Sequence, residues 1–197
     1  MTYAQRHAMG GYEMKMHIVD AANELAATCA FDDISVIDIC QASTVSRQTF
    51  YNHFKNKIDM LCWERSTVLN DFFFEYSSVC GWNETLAILL EKDSHVNHLL
   101  RRVTQSKDNP IFLRYCVELY EAIFDQELRA RGIVKTRQYE FYIHYGAWIM
   151  GHCLDDWYRS GCELDLKMML GWLDDMTPDL MREMREQPVD GSAKRPF

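Results

Sequence analysis

Between Arg47 and Lys57 the chain sets out a run of side chains suited to hydrogen bonding and charge: Arg47, Gln48, Thr49, Tyr51, Asn52, His53 and, past Phe54, Lys55 and Lys57. Arginine and glutamine carry forked hydrogen-bonding groups that match guanine and adenine edges in a major groove. Lys57 stands at the first position of a helix that Asn56 is placed to cap, with Asp59 at the third. A cation there opposes the helix macrodipole by about 0.3–1 kcal/mol. A bound phosphate reverses that sign, because a helix N-terminus and a lysine attract the same anion. On the sequence alone, folding gives no reason for Lys57, and a nucleic-acid backbone gives one.

Other chemistry is hard to assemble from this chain. There is no nucleophile with a matched base, no carboxylate pair and no phosphate loop. No catalytic residue and no cofactor are therefore assigned, the chain is not expected to be an enzyme, and a helical enzyme is kept only as a remote alternative. His95 and His98 are three apart without a supporting carboxylate or cysteine, so no metal site is assigned. The seven cysteines are scattered with no close pair at ligand spacing and suit reduced thiols in a cytoplasmic protein. Cys153 and Cys162 are expected to be inert. Aromatic and methionine side chains of the C-terminal half, among them Phe72, Phe74 and Met150, suit either a core or an apolar ligand cavity. The pocket assigned from them is Phe73, Tyr120, Phe124, His144 and Trp148.

A hydrophobic share of 48% and a charged share of 25% are those of a folded chain. No apolar run approaches the roughly 18 residues of a membrane span, and Met1–Gly11 has no apolar signal core, so no membrane partner is expected. The net charge of −8 runs against nucleic-acid binding until its distribution is considered. Residues 1–62 hold five basic and seven acidic side chains, yet 41–58 holds three basic residues, a histidine and no acid. The positive field is confined to one short segment.

The elements around that segment follow from apolar spacing and caps. Met14, Ile18, Ala21, Leu25 and Cys29 mark one face of a first helix, from which Lys15 could also reach a phosphate. Ser35 caps a short second helix ending near Ala42, with Asp38 three residues on and Ile34 and Ile39 as a staple. Ser46 caps a third, whose Phe50 and Phe54 face the core. A long fourth helix runs from Asn56 to about Val79, and its three successive phenylalanines suggest burial on more than one side. Two short apolar helices follow, then one from Pro110 to near Gly132, one over Thr136–Ser160 and one over Leu164–Met176. Gly146 and Gly151 inside the penultimate helix each cost about 1 kcal/mol relative to alanine, which implies close helix approach. No strand and no internal repeat is visible, and about nine helices are expected in all.

The order Val-Ser turn, Arg-Gln-Thr-Phe-Tyr-Asn-His-Phe and Lys-Asn-Lys-Ile-Asp-Met-Leu closely resembles the helix-turn-helix of TetR-family transcriptional regulators, above all at Ser46, Thr49 to Phe54, Lys57 and Leu61. The likeness extends upstream through Ile18, Ala22 and Leu25, and thinly to Tyr145-Gly146, Trp157 and Gly161. It implies an all-α fold: a three-helix DNA-binding domain over 1–62 and a helical ligand-binding and dimerisation domain over 63–186, while the two prolines and glycine of 187–197 suggest a flexible tail. It places Arg47, Gln48 and Thr49 on bases and Ser35, Tyr51, His53 and Lys57 on the DNA backbone, where Ser46 is also assigned.

The function expected is a dimeric repressor on a pseudopalindromic operator, released by a small-molecule ligand. The alternative is control by a partner protein, with activation as one form of it. The dimer is expected to use Trp148, His152, Leu170 and Leu173. The chain departs from the family pattern at Ala30 and Thr44, where glycine is usual, and at Cys40 and Ser43. Thr44 in a left-handed turn would be strained.

Overall fold

The structure is a computed structural model and describes residues 10–76, 85–91, 97–130, 132 and 134–176, apart from the side chains at 72–76, 127, 128 and 130. The described residues form helices and turns, with no strand among them. The N-terminal head comprises α1 (Gly11–Ala26), a short 3-10 turn (Phe31–Asp33), α2 (Val36–Ala42), α3 (Arg47–His53) and the start of α4 (Lys57–Tyr76). After helical residues at 85–91 come α5 (His98–Val103), α6 (Asn109–Ala130), α7 (Arg137–Arg159) and α8 (Leu166–Asp175).

The caps expected at Ser35, Ser46 and Asn56 are in place, and Thr136 adds a fourth. Asp38 N–H donates to Ser35 Oγ at 3.2 Å while Ser35 N–H donates to the Asp38 carboxylate at 2.8 Å, the reciprocal pair of a capping box. Ser46 Oγ accepts from Thr49 N–H at 3.0 Å, Asn56 Oδ1 from Asp59 N–H at 2.9 Å, and Thr136 Oγ1 from Tyr139 N–H at 3.3 Å. Helices of seven residues such as α2 and α3 are unstable alone, so these bonds and the face each helix buries hold them. Phe50 and Phe54 are buried in the head with Ile18, Ala22, Phe31 and Ile39. Full burial of a side chain the size of Phe50 contributes about 1.5–3 kcal/mol.

The head continues into the rest of the chain through one contiguous core, which reaches Leu170. Three polar links tie the segment around α5 to the head. Leu99 N–H donates to Asn23 Oδ1 at 3.1 Å, Arg102 Nε donates to the Ala26 carbonyl at 3.1 Å, and Lys107 N–H donates to Asp32 Oδ2 at 3.3 Å. The Arg102 bond sets a cation on the last carbonyl of α1, where the helix dipole is negative.

In the body, α6 and α7 pack most extensively. A Cβ on Gly151 would stand 2.6 Å from Val117 Cγ2, so the close approach read from that glycine is present. At Gly146 the nearest neighbour, Phe124 Cε2, is an ordinary 3.6 Å away, so that position does not demand glycine for space. The phenylalanine run at 72–74, the tail at 187–197 and the stretch 177–186 lie outside the described side chains or residues. Glu64 and Arg65 on α4 are buried charges that the apolar pattern did not announce, and Asn97 Nδ2 donates to Glu64 Oε1 at 2.9 Å.

Candidate nucleic-acid interface

The turn between α2 and α3 decides where α3 points. Ser43 is the C-cap of α2, Thr44 N–H donates to the Gln41 carbonyl at 3.1 Å, and Val45 N–H donates to the Cys40 carbonyl at 3.0 Å. These are the two bonds of a Schellman motif, whose C′ residue takes a left-handed conformation. Thr44 has φ +55°, so the strain expected of a β-branched residue there is present. Ser43 is fully buried, its Oγ donates to the Ile39 carbonyl at 2.6 Å, and its own carbonyl accepts from His17 Nε2 of α1 at 2.8 Å.

Past the turn, α3 exposes one polar face. Arg47 and Gln48 are exposed at its start, and Gln48 Nε2 donates to Asn52 Oδ1 at 2.9 Å, one helical turn on. That bond gives the Gln48 amide a set orientation before any ligand arrives. Thr49 is half-buried, and its hydroxyl is paired with Ser46 Oγ at 2.9 Å, so two residues of the expected surface bond to each other. Tyr51 is 48% exposed with its ring edge-on to Phe50, while His53 is half-buried beside Phe54. Arg47, Gln48, Tyr51 and Asn52 thus share an outward surface held from beneath by Phe50.

The remaining backbone candidates are placed less simply. Ser35 is exposed at the start of α2, and its hydroxyl also donates to Asp38 Oδ2 at 2.6 Å. Those side-chain and backbone hydrogen bonds from Ser35 hold the Asp38 carboxyl below the usual carboxylate range. Lys57 corrects the sequence argument, which found no folding reason for it. Its Nζ donates to the Phe31 carbonyl at 2.6 Å and the Ile34 carbonyl at 3.1 Å and lies 4.3 Å from the centre of the Phe31 ring. The ammonium therefore ties down the 3-10 turn from the start of α4. Burial lowers its pKa, opposed by the charges of Asp108 and Asp32. Lys15, also considered for phosphate, sits over the rings of Trp63 at 4.9 Å and Phe54 at 5.4 Å.

The described candidate pocket residues differ in how deeply they are buried. Tyr120 is buried and lines a cavity of about 30 Å³ with Arg65, Phe112, Cys116, Gly151 and Asp155, room for about one water. Phe124 is half-buried against Gly146, His144 is exposed and paired with Glu121, and Trp148 is 48% exposed. The Phe73 side chain lies outside the described ones. Of the expected dimer residues, Trp148 and His152 stack at 4.0 Å on the outer face of α7, Leu173 is half-buried, and Leu170 faces the chain's own core. The outward positions on α8 and its C-cap belong to Met168, Trp172 and Met176, a row the sequence assignment passed over. Phe141 and Tyr145 extend the outer face of α7. A groove of about 520 Å³ runs beside these helices, lined by Trp157, Leu164, Met169, Trp172, Leu173 and Met176 among others.

His98 is half-buried, and His95 lies outside the described residues. Among the described residues no group of three or more histidine, cysteine and carboxylate side chains is arranged to hold a metal, and no helix is long and apolar enough to cross a membrane. Burial raises the pKa of Cys153 and Cys162, which disfavours the reactive thiolate.

With this geometry in hand, the chain can be set beside known proteins. The profile of the family described as bacterial regulatory proteins, tetR family, matches residues 18–61. A protein from Lactococcus lactis named HTH-type dhaKLM operon transcriptional activator DhaS is 26% identical over 133 residues, 66% of this chain and 71% of that protein. A solved structure of dihydroxyacetone kinase operon activator DhaS is similar with a TM-score of 0.57 at 23% identity, covering 89% of this chain and 98% of that one. The TetR family repressor AlkX from Dietzia sp. is similar with a TM-score of 0.56 at 17% identity, covering 88% of this chain and 98% of that one. A third structure, FadR from Thermus thermophilus in complex with lauroyl-CoA, gives a TM-score of 0.56 at 22% identity and covers 90% of this chain and all of that one. At these identities the three structures establish the shared helical fold.

Proposed function

We propose, from the premise that the chain is a TetR-family transcriptional regulator by its N-terminal helix-turn-helix, that it binds a pseudopalindromic DNA operator as a homodimer and acts as a repressor released by a ligand. The observation that carries the DNA part is the exposed face of α3, where Arg47 and Gln48 stand at the helix start above the buried Phe50. In this reading residues 1–62 read DNA and 63–186 dimerise and sense, in the cytoplasm. Arg47, Gln48 and Thr49 meet bases, and Ser35, Ser46, Tyr51 and His53 set the register on phosphates, joined by Lys57 through the one ammonium proton that its two carbonyl bonds leave. Two copies of α3 would enter successive major grooves about 34–36 Å apart.

The dimer part is supported by the outward aromatic and methionine row on α7 and α8, which a second copy would cover as a four-helix contact. An effector would act by preferring one spacing of the two heads. The links from α5 and Lys107 to Asn23, Ala26 and Asp32 offer a physical route from body to head.

A second reading, control by a partner protein with activation as the outcome, is favoured by the likeness to DhaS, a transcriptional activator.

Selection of genomic fragments by the purified protein tests the DNA part, with Arg47→Ala alongside. The variant should lose about 1–3 kcal/mol and relax preference at one position of each half-site. An unchanged preference removes Arg47 from base reading, and retention of no fragment removes the regulator reading. Light scattering at micromolar concentration tests the dimer, and a monomer there would end it.

A further inference from the structure

The polar groups of the head fall into two kinds. Ser35, Ser46 and Asn56 bond within three residues of themselves, as caps do. His17 reaches across 26 residues, from the middle of α1 to the carbonyl of Ser43. The Schellman bonds account for the carbonyls of Cys40 and Gln41. His17 takes that of Ser43, on a fully buried residue where an unmade bond is expensive. A carbonyl only accepts, so the ring must hold its proton on Nε2. The very next residue is Thr44, held at φ +55°, where its side chain works against the backbone.

We infer that His17 is a positioning residue for α3: by anchoring the Ser43 carbonyl to α1 it keeps the strained Ser43–Thr44 turn in place and so aims the Arg47–Gln48 face. The inference rests on the DNA-binding reading for its functional half and on geometry alone for its structural half. The two halves separate in the test. His17→Leu removes the donor while keeping bulk, and His17→Gln keeps an N–H donor of similar reach.

In hydrogen exchange on the full chain, the Thr44 and Val45 amides of His17→Leu should open about tenfold more readily than in the wild type, the scale of one lost buried hydrogen bond. His17→Gln should lie close to the wild type. In DNA binding, measured on the duplexes that the wild type retains from a random pool and on a non-specific duplex, His17→Leu should lose affinity for the selected duplexes about tenfold. Its non-specific binding should be unchanged, and glutamine should restore the difference.

Should His17→Leu fold poorly, the same pair is compared in a Thr44→Gly background, where relief of the turn should shrink the effect of losing His17. Unchanged exchange in His17→Leu, or glutamine behaving as leucine does, overturns the anchor. Faster exchange with unaltered selectivity overturns the aiming role. If the wild type binds no DNA, the regulator reading and the aiming role fall together, and the exchange rates still decide whether His17 holds the turn.

Discussion

The head and the body of this chain solve the same problem, holding helices in place, by different means. In the head, α2 and α3 have seven residues each and bury little more than one or two side chains apiece, so capping bonds, a Schellman turn and the His17 anchor share the task. In the body, α6 and α7 run for 22 and 23 residues and form the most extensive helix pair among the described residues. A short helix held by named polar contacts has its exposed face set by them. A long helix held by apolar packing leaves a second apolar face whose purpose the packing does not declare. The lesson is that function is more readily assigned where stability is local.

Substitutions in the two parts can sharpen or break this contrast. The largest effect is expected from Phe50→Ala, which empties the centre of the head and should cost about 3–5 kcal/mol. Calorimetry should show the head melting early with DNA binding lost, while light scattering still reports the body's oligomeric state. A single transition for the whole chain would mean that the shared core makes the two parts one cooperative unit, and the contrast would fail.

Next comes Gly151→Ala, whose Cβ would meet the stiff Val117 side chain at 2.6 Å and should cost about 1–3 kcal/mol by overpacking. Thermal unfolding should register the loss, and hydrogen exchange in α2 and α3 should not change. The smallest effect concerns acid. The Asp38 carboxyl is held low by Ser35, so its contribution is present above the unfolded carboxylate value of about 3.9 and fades as pH falls through the lower folded value. Asp38→Asn should flatten that part of the acid-unfolding curve and leave the curve near neutrality unaltered in slope.

How far the sequence foretold this molecule follows the same division. Ser35, Ser46 and Asn56 announced three helix starts because a cap and its partner lie three residues apart, a spacing visible in one dimension. Thr44 announced its strain through the family resemblance, in which glycine usually stands at that turn. The His17 anchor and the grip of Lys57 on the Phe31 and Ile34 carbonyls were invisible, since each joins positions more than twenty residues apart. The same holds for the buried Arg65, which an apolar pattern cannot signal. In the body, Tyr120 and Trp148 looked alike as aromatic helix residues, yet one lies against an inner cavity and the other on an outer face. Leu170, expected at a dimer interface, is buried in the chain's own core while Met168 two residues before it is exposed, because a shift of two residues turns a helix by more than half a revolution.

The links from Leu99, Arg102 and Lys107 to Asn23, Ala26 and Asp32 bear on modularity. Recombination at residue 62 would transplant the head without the segment that closes the end of α1 and holds the 3-10 turn. A chimera built that way would present Asn23, the Ala26 carbonyl and Asp32 to a foreign body. The portable unit is discontinuous: the first sixty or so residues together with the stretch from Asn97 to Asn109, which belongs to the head by its bonds and to the body by its place in the chain.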